Sequence, residues 1–107
     1  DNLLENAVKN TPPGGKVELF LTVAEPNLRV EVKDTGIGIP KEQLNRVFSK
    51  FFRADNAELF QTSGTGLGLY LTKTIVEQHN GSISFKSIED KGTTFLVNIP
   101  YFKGPEN

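Results

Sequence analysis

Hydrophobic and polar residues alternate along this chain with two different periods, and the changes of period mark out its elements. Asn2, Asn6 and Lys9 fall within an arc of about 60° on a helix of 3.6 residues per turn. Leu3, Leu4, Ala7 and Val8 take the opposite side. This helix is expected to stop near Thr11, because Pro12-Pro13-Gly14-Gly15 cannot continue it. From Lys16 to Ala24 the period becomes two, with Val17, Leu19, Leu21 and Val23 on one face. Leu28, Val30 and Val32 repeat the pattern, with Arg29, Glu31 and Lys33 outward, and Glu25-Pro26-Asn27 joins the two runs into a β-hairpin with one buried face. Helical spacing returns from Lys41 to Phe52 through Leu44, Val47, Phe48 and Phe51, with Pro40 well placed for a helix start. No period persists from Arg53 to Gly64. A further helix spans Gly66 to His79, where Leu67, Leu71 and Ile75 form a stripe beside Val76 and Asn80-Gly81 makes a left-handed C-cap. Two strands close the chain, Ser82 to Ile88 with Ile83 and Phe85 inward, and Thr93 to Ile99 with Phe95, Val97 and Ile99 inward. Glu89-Asp90-Lys91-Gly92 turns between them.

The order helix, hairpin, irregular segment, helix, hairpin predicts helices on one face of a largely antiparallel or mixed sheet, an α/β two-layer sandwich. A length of 107 residues allows one small domain or part of one. Net charge is −1, with 12 basic and 13 acidic residues interspersed, so no nucleic-acid footprint is present. The absence of cysteine excludes disulfides, thiolate metal sites and cysteine nucleophiles. No apolar run approaches the roughly 20 residues that span a bilayer, and no signal-peptide pattern is found. The first residues read as the middle of an amphipathic helix, which suggests that the chain is a piece of something larger.

Four groups of residues carry candidate chemistry. Asp34, at the end of a strand, can accept a hydrogen bond from an exocyclic amine such as that of adenine, and Gly36 and Gly38 would keep the floor clear for a flat base. Alone, Asp-Thr-Gly is also ordinary turn chemistry. Gly64-Thr65-Gly66-Leu67-Gly68 opens a helix with alternating glycines, which exposes backbone N–H groups to an anion; alone, it would serve equally as a hinge. It is a poor dinucleotide fingerprint, since polar loop precedes it, and no Gly-Lys-Ser/Thr follows to make a P-loop. The amides of Asn2 and Asn6 suit Mg²⁺ and Lys9 offers a charge to phosphate, although a solvated face would look the same. Arg53 follows the ring-rich run Phe48-Ser-Lys-Phe51-Phe52 and would clamp a γ-phosphate if that segment folds over a nucleotide, while Phe48 and Phe51 read as core. His79 has no second ligand nearby and reads as a helix-end dipole partner.

Taken in order, these motifs resemble the catalytic ATP-binding domain of two-component sensor histidine kinases. Asn2–Thr11 is similar to that family's N box, Asp34–Pro40 to its G1 box, Phe48–Asp55 to its F box and Gly64–Leu69 to its G2 box. The resemblance covers nearly the whole chain, as one partial domain over residues 1–107. It implies a Bergerat-type mixed, mostly antiparallel sheet with helices on one face, lacking the family's first strand. It also implies ATP and Mg²⁺ as cofactors, with Asn6 the main metal ligand, Asn2 in support and Lys9 near the phosphates. Asp34 would bind the adenine amine between Gly36 and Gly38. A mobile lid over about 40–65 would carry Arg53, with Gly64, Thr65, Gly66, Leu67 and Gly68 beside the triphosphate.

The implied activity is transfer of the ATP γ-phosphoryl group to a His on a separate dimerisation domain of the same protein, and from there signalling to a response regulator. The family's members are mostly membrane-anchored, with this domain in the cytoplasm and a homodimeric parent. Two departures stand out. Asn10 replaces an aromatic that often follows the N-box Lys, and Phe52 replaces a common Tyr. Asn2 stands where hydrolytic relatives of the superfamily carry a water-activating Glu, which favours transfer over hydrolysis because an amide is no base. No phosphoacceptor His lies in this chain, so by itself it is expected to be inactive as a kinase. Other readings are an anti-sigma Ser kinase, a hydrolytic ATPase of the same fold, or a nucleotide-free, pseudokinase-like interaction module.

Overall fold

The computed structural model describes residues 2–50 and 68–101. Helix α1 (Asn2–Lys9) leads into a hairpin of β1 (Val17–Ala24) and β2 (Asn27–Asp34), then a six-residue 3-10 helix (Lys41–Arg46). Helix α2 (Gly68–Gln78) is followed by a second hairpin, β3 (Ser82–Ile88) and β4 (Gly92–Pro100). Among the described residues the strands form one sheet in the order β1-β2-β4-β3, every neighbouring pair antiparallel. The first hairpin therefore meets the second through their later strands.

The register sets the core. Leu19 opposes Val32, Val32 opposes Phe95, and Phe95 opposes Phe85, so one row of side chains crosses the sheet on a single face. Leu3 and Ala7, one turn apart on α1, and Val76 of α2 pack on that face against Val32, Phe95 and Val97. Val47, just after the 3-10 helix, joins them with 1% of its surface exposed. Phe48 then meets Phe85 and Phe95 edge-on, with ring centroids 5.6 and 6.2 Å away.

Three features differ from the sequence pattern. Of the helical spacing at 41–52, the described part forms a 3-10 helix of six residues, with no side-chain cap from Pro40 and with Val47 and Phe48 packed into the core straight afterwards; Phe51 and Phe52 lie outside the described residues. In α2 the inward residues are Leu69 and Val76, while Leu71 and Ile75 are exposed; Leu67 lies outside the described residues. Finally, β1 keeps its predicted alternation but not its burial. Leu19, Leu21 and Val23 share the inner face yet stay 52%, 66% and 62% exposed. Among the described residues β1 is an edge strand, and the buried positions lie on β2 and β4.

Candidate functional site

Strand β2 delivers Asp34 to the end of the sheet, pointing inward with 6% of its surface exposed. The alternation that turns Leu28, Val30 and Val32 inward dictates this orientation, since Asp34 is the next residue on the same face. Its Oδ1 accepts N–H bonds from Gly36 at 2.8 Å and Thr93 at 3.2 Å. Among the described residues no hydrogen bond reaches Oδ2 and no Lys or Arg pairs with the carboxylate. Burial pushes the carboxyl above its ordinary pKa, and the two N–H bonds pull against that shift. Among the described residues, one oxygen is thus held by the protein while the other remains available as an acceptor.

The loop after Asp34 is fastened on both sides. Ile37 N–H donates to the carbonyl of Asn10, just past the end of α1, at 3.0 Å. A Cβ on Gly36 would stand 2.3 Å from that same carbonyl, so only glycine permits the approach. Gly38 has a φ of +66° and lies against the carbonyl of Ile88, where a Cβ would come within 2.1 Å. Among the described residues, then, these glycines make room for backbone from α1 and from the second hairpin. The loop continues with Ile39 N–H donating to Ser87 Oγ at 2.8 Å, and Asp90 N–H donating to the Ile37 carbonyl at 2.7 Å.

Helix α1 reaches the site through its C-terminal end. Asn10 N–H bonds the Asn6 carbonyl, which puts Asn6 one turn behind the contact with Gly36 and Ile37. Asn6 is half-buried and Lys9 exposed, while of Asn2 only the backbone position is described. Gly68 is the first residue of α2. Arg53, Gly64, Thr65, Gly66 and Leu67 lie outside the described residues, as does most of the lid expected at 40–65. Of that span, the described part from Pro40 to Phe48 is anchored, with Pro40, Gln43 and Val47 buried. His79 Nδ1 sits 2.8 Å from the Ile75 carbonyl, the helix-end role its position suggested.

A single family model decides what this arrangement belongs to: that of the histidine kinase-, DNA gyrase B- and HSP90-like ATPases, which matches residues 1–103. The chain belongs to this family. It is an ATP-binding domain of the kind sensor histidine kinases carry, and among the described residues it has that domain's α/β architecture. It is 44% identical to the sensor histidine kinase WalK of Bacillus subtilis (strain 168), an alignment covering all of this chain and 18% of WalK. It is 42% identical to the sensor protein SrrB of Staphylococcus aureus (strain NCTC 8325 / PS 47), covering 92% of this chain and 17% of SrrB. The chain thus spans less than a fifth of the length of these curated relatives. Among solved structures it is similar to the mycobacterial sensor histidine kinase MprB, with a TM-score of 0.80 and 34% identity over 92% of this chain and 67% of that one. It is likewise similar to the catalytic domain of the histidine kinase ThkA, with a TM-score of 0.74 and 35% identity over 92% of this chain and 61% of that one.

Two polar residues in line with Asp34 went unnoticed in the sequence. Thr93 opposes Asp34 and Ser87 opposes Thr93, so the three form one polar row on the inner face at the end of the sheet. The signal was present in the alternation. The inward series Leu28-Val30-Val32, Ile83-Phe85 and Ile99-Val97-Phe95 each run on to a polar residue, Asp34, Ser87 and Thr93 respectively. Only the strand order shows that these breaks fall side by side.

Proposed function

We propose that this domain binds Mg²⁺-ATP, with Asp34 reading the adenine amine, and that within a sensor kinase it donates the γ-phosphoryl group to a His on a separate helical domain. The observation that carries this reading is the state of Asp34: a buried carboxylate with Oδ1 locked by two N–H donors and Oδ2 left as an acceptor. An oxygen fixed in this way can distinguish a donor on a ligand from an acceptor. The family membership and the docking of the Asp34 loop on α1 support placing the amides of Asn6 and Asn2 and the ammonium of Lys9 on the phosphate side.

The donor set suits Mg²⁺. Among the described residues no cluster of three or more His, Cys, Asp and Glu could hold a metal alone. A neutral amide oxygen on Asn6 fits an ion that keeps waters and shares phosphate oxygens. When bound, the ion would neutralise charge on the β- and γ-phosphates. Lys9, Arg53 and the amides of Gly64–Gly68 would orient the triphosphate, leaving in-line transfer to depend on position and charge rather than on covalent help. Asn2 in place of a carboxylate supports transfer over hydrolysis. The acceptor His and the response regulator that would follow belong to other parts of the signalling system.

Titration calorimetry with a non-hydrolysable ATP analogue and Mg²⁺ tests the proposal on wild type and Asp34→Asn. The substitution keeps an oxygen for the Gly36 and Thr93 N–H groups and replaces Oδ2 with an NH₂ that faces the adenine amine donor to donor. Affinity should fall about 10- to 100-fold, the loss expected for a hydrogen bond to a charged acceptor. Equal affinity in the two proteins would rule out base reading by Asp34, and no heat from either, with both folded, would rule out nucleotide binding by this chain.

A further inference from the structure

We propose that Ser87 is a positioning residue for base recognition, its hydroxyl tying the loop after Asp34 to the strand that holds the Asp34 carboxylate. The inference rests on the reading of Asp34 as the base-recognising group. Ser87 lies two strands away from Asp34, at the far end of the polar row, and its side chain hydrogen-bonds neither Asp34 nor the loop's glycines.

The argument starts from what one hydroxyl can do. Serine has a single proton to donate and two lone pairs to accept with. Ser87 Oγ has three neighbours at hydrogen-bond distance, the Ile39 N–H at 2.8 Å, Thr93 Oγ1 at 2.7 Å and the Gly92 carbonyl at 3.2 Å. The assignment that satisfies all of them gives the proton to Gly92 and the lone pairs to Ile39 N–H and Thr93 O–H. The capacity of the group is then fully used. Ser87 is half-buried, so removing its oxygen would leave the Ile39 N–H and the Thr93 hydroxyl without their partner in a place where water is restricted.

Both partners lead to Asp34. Thr93 gives its backbone N–H to Oδ1, and its side chain is fixed by Ser87. Ile39 ends the loop whose Gly36 amide is the other donor to Oδ1. The two N–H groups that hold Oδ1 therefore come from segments that Ser87 joins. With Ser87 in place the loop end and the strand end are tied directly to each other; without it they stay joined only through the Asp90–Ile37 bond and the β2–β4 pairing, which leaves the donors to Oδ1 looser.

Two measurements on the intact chain test this, one of them free of nucleotide. The variants are Ser87→Ala and Ser87→Thr. The threonine keeps the hydroxyl, and its methyl can enter the open cavity of about 430 Å³ that Ser87 lines with Ile39, Leu44 and Ile88. In the first measurement, ¹³C-detected NMR titrates the Asp34 carboxyl in the free protein. Loosening the donors to Oδ1 should raise its pKa further in Ser87→Ala, and Ser87→Thr should restore the wild-type titration. In the second, calorimetry compares ATP with inosine triphosphate, which lacks the amine. Ser87→Ala should weaken ATP about three- to tenfold, in the range of one lost hydrogen bond, and leave inosine triphosphate unchanged. An unaltered Asp34 titration in a folded Ser87→Ala protein would overturn the proposal, as would equal losses for both nucleotides. If the wild-type chain binds neither nucleotide, the reading of the site fails, while the carboxyl titration still decides whether Ser87 positions Asp34.

Discussion

A buried carboxylate without a cationic partner is costly, and among the described residues Asp34 has no such partner at the point where we propose that the domain meets its ligand. Because burial raises its pKa in the fold, the folded chain holds this proton to higher pH than the unfolded chain does. The sign follows. Asp34 contributes most to stability below the ordinary carboxylate range near pH 4, less as pH rises through the raised value, and a constant deficit beyond it. Asp34→Asn should therefore be at least as stable as wild type at pH 7 in urea denaturation, with the difference shrinking on acidification. Nucleotide affinity should run the other way in wild type, weakening as pH falls through that raised value, because a proton on Oδ2 turns an acceptor into a donor. Calorimetric titrations at stepped pH would show this decline starting above the ordinary carboxylate range. Gly36 carries a different constraint. Gly36→Ala would push the loop off the Asn10 carbonyl, and about 1–3 kcal/mol of destabilisation is expected by denaturation, the usual cost of overpacking a tight contact.

At the level of elements, the strands and both helices were legible because their periods are clean and their ends are punctuated. Pro12-Pro13-Gly14-Gly15 stops α1, and Asn80, at a φ of 61°, ends α2 in the left-handed conformation expected of it. The stretch after Pro40 was less legible. Leu44, Val47 and Phe48 have helical spacing, yet Val47 and Phe48 pack into a core built with β3 and β4, which a local pattern cannot see. The same limit hid Ser87 and Thr93, whose importance lies in pairing across strands. Phe48 shows how much that non-local contact matters, since its ring bridges the 3-10 segment to Phe85 and Phe95, and Lys73 Nζ sits 5.2 Å over it. Phe48→Ala should cost roughly 2–4 kcal/mol in chemical denaturation, toward the lower end for a core aromatic because the ring is only half-buried.

Across the whole molecule, burial is uneven. The β2–β4 half is packed under two helices, while β1 offers Leu19, Leu21 and Val23 on its inner face and Phe20 on its outer one, all substantially exposed. An edge strand with this composition is prone to self-association. Leu21→Thr should leave the unfolding midpoint nearly unchanged, within about 0.5 kcal/mol as for other exposed positions. It should also reduce concentration-dependent association in sedimentation velocity. A loss of several kcal/mol instead would mean that Leu21 is covered in solution.

The Asp90 N–H that grips the Ile37 carbonyl joins two stretches of chain more than fifty residues apart. A β-turn at a hairpin tip is ordinarily where a protein engineer inserts a tag or a loop with impunity. Here that tip is a buttress of the proposed base pocket. Lengthening 89–91 would retune ligand recognition from a position that, on a sequence map, looks like spare connecting chain.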